Sequence, residues 1–76
     1  MRIEILGMGC QKCNALYNVA KQAAEELGIN FELIKVEDFK EIMKYGVMTT
    51  PALVVDGKVK VAGKVPGKDE IKAMLQ

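Results

Sequence analysis

The spacing of apolar and polar residues along the chain predicts seven elements. Residues 2–6 (RIEIL) alternate as a strand does. From Cys10 to Leu27 the apolar positions are Cys13, Leu16, Tyr17, Ala20, Ala23, Ala24 and Leu27. Steps of three and four place them on one helical stripe, with Lys12, Asn14, Asn18, Lys21, Gln22, Glu25 and Glu26 largely on other faces. Gly28 stands where a left-handed C-cap belongs. Phe31 to Val36 (FELIKV) is rich in β-formers and predicts a second strand. A strand, a helix and a strand of these lengths form a βαβ unit, so the two strands should be parallel with a right-handed crossover.

The second half alternates less regularly. Asp38 with Glu41 three residues on resembles a capping box, opening a short helix over 38–45 with Phe39, Ile42 and Met43 as its apolar face and Gly46 as its stop. After VMTTP, the run ALVVDGKVKVA contains Asp56-Gly57, a strong two-residue hairpin signal. Lys58 and Lys60 alternate with Val59 and Val61 as on a half-exposed strand, and such lysines discourage edge-to-edge pairing. Gly63 to Gly67 reads as loop, and Ile71, Met74 and Leu75 mark a short closing helix. The predicted order is β-α-β-α-β-β-α, without repeats, low-complexity tracts or linkers.

Seventy-six residues, half of them hydrophobic, make one domain (1–76) with a single modest core. The net charge of +1 and the scattered lysines give no nucleic-acid or acidic-membrane footprint. MRIEIL runs straight into a strand, and no stretch resembles a signal h-region or a bilayer span, so the sequence reads as a cytoplasmic monomer off the membrane. In a reducing cytosol, two cysteines close together are more often catalytic or metal-binding than structural. Histidine is absent, which excludes a Cys/His zinc site, and two thiolates alone do not close a four-ligand one.

The chemistry concentrates in GMGCQKC, residues 7–13. Read locally, Cys10 and Cys13 could form a thiol–disulfide switch. Equally, G-M-x-C-x-x-C is the loop with which small carriers hold Cu(I) or a similar soft ion. Topology separates the two, because such carriers run β-α-β-β-α-β and end on a strand, whereas this chain inserts a helix before the hairpin and ends on one. The distinction rests on the short helix at 38–45. Met8, Met43, Met48 and Met74 follow helix faces or no pattern and read as loop and core filling, not as a thioether site.

Cys10-Gln11-Lys12-Cys13 opening a helix, then Thr50-Pro51 leading into a strand–DG–strand hairpin, then a glycine and a last helix, resembles the thioredoxin superfamily. More narrowly, the chain is similar to the very short thioredoxin-like redox-active disulfide proteins of archaea and anaerobic bacteria. The resemblance covers the whole length. It implies an α/β fold with a four-stranded mixed sheet flanked by helices. It also implies a disulfide oxidoreductase serving electron transfer and redox balance, with no cofactor or metal beyond the Cys10–Cys13 couple. Protein disulfides would be the substrates. Glutathione, a flavin-type thioredoxin reductase and a ferredoxin-linked reductase all stay open as reductants, and the absence of a positive residue just before Cys10, common in glutathione-using relatives, favours a protein reductase. Pro51 would be cis beside the disulfide, and Thr50, Pro51 and Gly63 would form the substrate surface.

Elementary chemistry assigns roles within that pattern. A cysteine at a helix start lies against unpaired N–H groups and the positive end of the helix dipole, so Cys10 should be the thiolate nucleophile. Cys13, one turn in on the apolar stripe, should remain a thiol until it resolves the mixed disulfide. Lys12 either assists the Cys10 thiolate or is simply solvated. Glu4 holds the offset, six residues before the first cysteine, of the buried acid that relays protons in thioredoxins. On a two-faced strand it reads rather as a solvated or surface-paired carboxylate. Two features depart from the thioredoxin pattern: Met8-Gly9 replaces a tryptophan before Cys10, and Gln-Lys separates the cysteines. Both leave the potential open between a strong reductant and a milder, glutaredoxin-like couple. A catalytically silent thioredoxin-like interaction module is the third class the motif allows.

Overall fold

The computed structural model describes residues 1–7, 11–47 and 49–75. Seven elements follow in the order β1 (Arg2–Leu6), α1 (Gln11–Leu27), β2 (Glu32–Val36), α2 (Phe39–Lys44), β3 (Ala52–Val55), β4 (Lys58–Ala62) and α3 (Lys68–Leu75). The β-α-β-α-β-β-α order and the mixed four-stranded sheet flanked by helices are those the sequence predicts. The sheet is ordered β2-β1-β3-β4, with β1 parallel to β2 and antiparallel to β3, and β3 antiparallel to β4.

Helix α1 buries Cys13, Leu16, Ala20, Ala23 and Ala24, with Tyr17 and Leu27 packed at the margin. The alanines let the helix lie close to the sheet, against Ile3, Ile5, Leu53, Val55 and Val61, and α3 adds Ile71 and Leu75 on the same side. Each fully buried isoleucine or leucine contributes about 1.5–3 kcal/mol of transfer free energy. Gly28, at φ +68°, ends α1 by donating its N–H to the Glu25 carbonyl.

The other face of the sheet carries a second, smaller cluster of Leu6, Ile42, Val47, Ala52 and Val54, with Val36 and Tyr45 at its rim. Here the sequence reading of α2 needs correction. Ile42 is its buried residue, whereas Phe39 and Met43 are 59% and 49% exposed. Positions i, i+3 and i+4 lie on one side of a helix, but α2 turns only Ile42 onto the sheet, and the cluster is completed from beyond the helix by Tyr45 and Val47. The cap is half of a capping box: Asp38 Oδ1 accepts from the Lys40 N–H at 2.8 Å, while Glu41 pairs with Lys44 at 3.1 Å.

The Asp56-Gly57 hairpin has positive φ at both residues, 49° and 84°, which matches the right-handed twist of its strands. A register shift between Leu53 and Val54 sets Val61 opposite Leu53 and Val59 opposite Val54. The expected alternation along β4 is broken there, and Lys58, Val59 and Lys60 are exposed in succession. Among the described residues, no helix is long and apolar enough to cross a membrane.

Candidate functional site

The sheet register gathers the candidate residues at one end. Leu6 pairs with Ala52, and Ala52 with Ala62, forming a row across β1, β3 and β4. One residue beyond that row stand Gly7, Pro51 and Gly63. The Gly7 N–H donates to the Val36 carbonyl at 3.0 Å, and the Gly63 N–H donates to the Pro51 carbonyl at 2.8 Å. The Thr50–Pro51 peptide is cis. Pro51 is fully buried, while Thr49 and Thr50 are exposed.

Cys13 reaches this end from α1. It is the third residue of the helix, 5% exposed, at the head of the buried stripe. Its thiol lies against the α-carbon of Gly7, so closely that a Cβ on Gly7 would stand 2.1 Å from Sγ. Cys10, with Met8 and Gly9, lies outside the described residues, as does Met48. Lys12 is exposed beside Cys13 on the first turn. Farther along α1, Lys35 of β2 donates to Asn14 Oδ1 at 3.2 Å and stands 4.7 Å from the centre of the Tyr17 ring, a cation–π arrangement.

Gly63 takes φ +83°, a conformation that side chains resist, and a Cβ there would meet Thr49 Oγ1 at 2.8 Å. The residue that turns the chain after β4 is therefore packed under the residue two before Pro51. Thr49 is a contributor that the motif did not reveal, since its contact with Gly63 spans fourteen positions along the chain.

Glu4 is buried, at 6% exposure, so of the two alternatives its strand position suggested it is not the solvated carboxylate but the paired one, held by the largely exposed Arg2. Its oxygens accept from Arg2 Nε at 2.8 Å and from the Tyr45 hydroxyl. Strand alternation puts Glu4 with Leu6 on the α2 side of the sheet, whereas Cys13 belongs to α1 on the other side. Tyr45 is the second residue that sequence reasoning missed. Bonding to the Glu4 carboxylate, and then burial, raises its phenol above the ordinary tyrosine value.

A thioredoxin domain model matches residues 1–76, the whole chain. The chain belongs to the thioredoxin domain family. The thioredoxin of Methanothermobacter thermautotrophicus is 41% identical over 75 residues, covering 99% of this chain and 97% of that protein. A second thioredoxin, from Methanocaldococcus jannaschii, is 45% identical over 74 residues, covering 97% of this chain and 85% of its own. A probable thioredoxin of Archaeoglobus fulgidus is 31% identical over 70 residues, 88% of this chain and 76% of that one. Within the thioredoxin family frame, the helix start bearing Cys13 and the loop bearing cis-Pro51 lie at the same end of the sheet.

Proposed function

We propose that this chain is a thiol–disulfide oxidoreductase in which Cys10 attacks and Cys13 resolves. One observation carries the reading: a buried cysteine at the start of α1 lies against Gly7, at the same end of the sheet as the loop bearing cis-Pro51 and Gly63. Relatives named thioredoxin, aligned over nearly the whole chain, support a redox function of that kind. Helix α2, between β2 and β3, gives the chain a different element order from a β-α-β-β-α-β soft-metal carrier.

In the proposed reaction the Cys10 thiolate attacks one sulfur of a substrate disulfide. The substrate S–S bond breaks as the Cys10–substrate bond forms, and the leaving thiolate takes a proton. Cys13 then loses its proton and attacks Cys10 Sγ. The Cys10–Cys13 disulfide forms, and the second substrate thiolate leaves and is protonated. The substrate has gained two electrons, which a protein reductase restores to the Cys10–Cys13 couple. The exposed Thr50 offers its backbone to an extended substrate segment, with Pro51 fixing its direction and Gly63 holding the loop through the Pro51 carbonyl. Lys12 adds a positive charge beside the thiolate. Glu4 is assigned a structural role, tying β1 to the end of α2.

Equilibration against a dithiol redox buffer, followed by thiol counting, tests the reading. Both cysteines should disappear together in one two-electron step. Independent titration of the two would overturn it, as would stoichiometric Cu(I) binding that survives a competing chelator and blocks exchange. Turnover with a protein reductase, compared with glutathione, then identifies the electron donor.

A further inference from the structure

Gly7 extends the β1–β2 ladder by one rung through its bond to Val36. Its backbone does not call for glycine: the described glycines with left-handed φ are Gly28, Gly46, Gly57 and Gly63. Inside or just beyond a strand, a glycine without positive φ marks a place where another group approaches the backbone closely. At Gly7 that group is the Cys13 side chain. A Cβ would lie 2.1 Å from its Sγ and 2.9 Å from its Cβ, both inside the distance that bonded neighbours alone reach. Neither backbone can easily withdraw, because Gly7 is held in the ladder and α1 is locked by Leu16, Ala20, Ala23 and Ala24 in the core, so the Cys13 side chain must give way.

We infer that Gly7 is a positioning residue for the resolving thiol: its missing side chain is the seat that sets the direction of Cys13 Sγ. The inference rests on the dithiol reading above. Resolution needs Cys13 Sγ to approach Cys10 Sγ along the line of the bond being broken, while the Cys10–substrate bond opens and the substrate thiolate departs. A methyl group on Gly7 would drive Sγ from its seat into another rotamer, and the first attack, by Cys10, would not need that seat.

The test uses the reduced protein and an aromatic disulfide, 5,5′-dithiobis(2-nitrobenzoate), which releases one coloured thiolate at each of the two steps. In Gly7→Ala the first, concentration-dependent release should match the parent. The second, unimolecular release should slow by about 10- to 100-fold, the scale of an ångström-sized misplacement of a reacting group. Cys13→Ser serves as the control and should stop after one release. If the parent's second release depends on reagent concentration, so that the two thiols react independently, the dithiol reading itself fails. If the parent's second release is unimolecular and Gly7→Ala resolves at the same rate, the reading stands and the inference about Gly7 is overturned.

Thermal midpoints cover the case in which Gly7→Ala folds poorly. The loss caused by Gly7→Ala should shrink in a Cys13→Ala background, where Sγ is gone. An equal loss in both backgrounds would show that Cys13 is not what the added methyl meets, and would overturn the inference.

Discussion

Among single residues, Glu4 carries the sharpest constraint, because a buried carboxylate on the sheet face of Leu6 and Val54 must be held by donors. Arg2, largely exposed, supplies one donor and Tyr45 the other. Tyr45→Phe should cost about 1.5–3 kcal/mol, the range for a hydrogen bond to a charged group, read from the urea midpoint. An unchanged midpoint would mean that water replaces the phenol without loss. The same bond fixes the sign of an alkaline effect. The folded-state phenol is raised above the ordinary 10.0, so its contribution is complete below that pH. Above it, the unfolded chain loses the proton first and the contribution falls as pH rises through the folded value. Stability should therefore decline more steeply above that pH in the parent than in Tyr45→Phe.

The elements differ in what holds them. Helix α2 depends on one cap and one buried side chain. Asp38→Ala should cost about 1 kcal/mol through the lost bond to the Lys40 N–H. Ile42→Ala should cost about 2–4 kcal/mol by leaving a cavity under α2. Phe39→Ser, on the exposed face, should stay within about 0.5 kcal/mol. Denaturant unfolding of the three variants checks that order, and a large loss at Phe39 would mean that α2 is rotated from the orientation described. Helix α3 is tied to α1 by Glu26, whose carboxylate receives Lys68 and Lys72, each at 2.6 Å. Those bonds lower the Glu26 carboxyl below its ordinary value, so the stabilisation is present above 4.5 and fades as pH falls through the folded value. Glu26→Gln should flatten this acid limb, with a small effect that high salt removes because the pairs are exposed.

At the scale of the molecule, two apolar clusters share strands β1 and β3, whose alternate residues feed opposite faces. Neither face can lose its packing without disturbing the strands that support the other, so unfolding should be one transition. The two tyrosines allow a direct check, since Tyr17 packs on the α1 face and Tyr45 on the α2 face. In the single-tyrosine variants Tyr17→Phe and Tyr45→Phe, the fluorescence midpoint in urea should coincide with the far-ultraviolet dichroism midpoint. Separate midpoints in either variant would show that its face melts independently.

Much of this was legible from local pattern. The α1 stripe, the left-handed Gly28 and the Asp56-Gly57 turn depend on residues a few positions apart, where periodicity and allowed φ act directly. The element order followed from them, and the CxxC and Thr-Pro motifs marked the end of the sheet where Cys13 and Pro51 lie. Tertiary structure alone decided the rest. The register shift in β4 exposed Val59, and the seating of α2 on Ile42 left Phe39 and Met43 outside the core. The partnership of Glu4 with Tyr45 joins residues 41 positions apart, and the contact of Gly7 with Cys13 requires α1 to settle at one height on the sheet. Sequence periodicity says which side of an element is apolar, but such contacts arise only when whole elements pack, because their geometry is set by register and helix placement together.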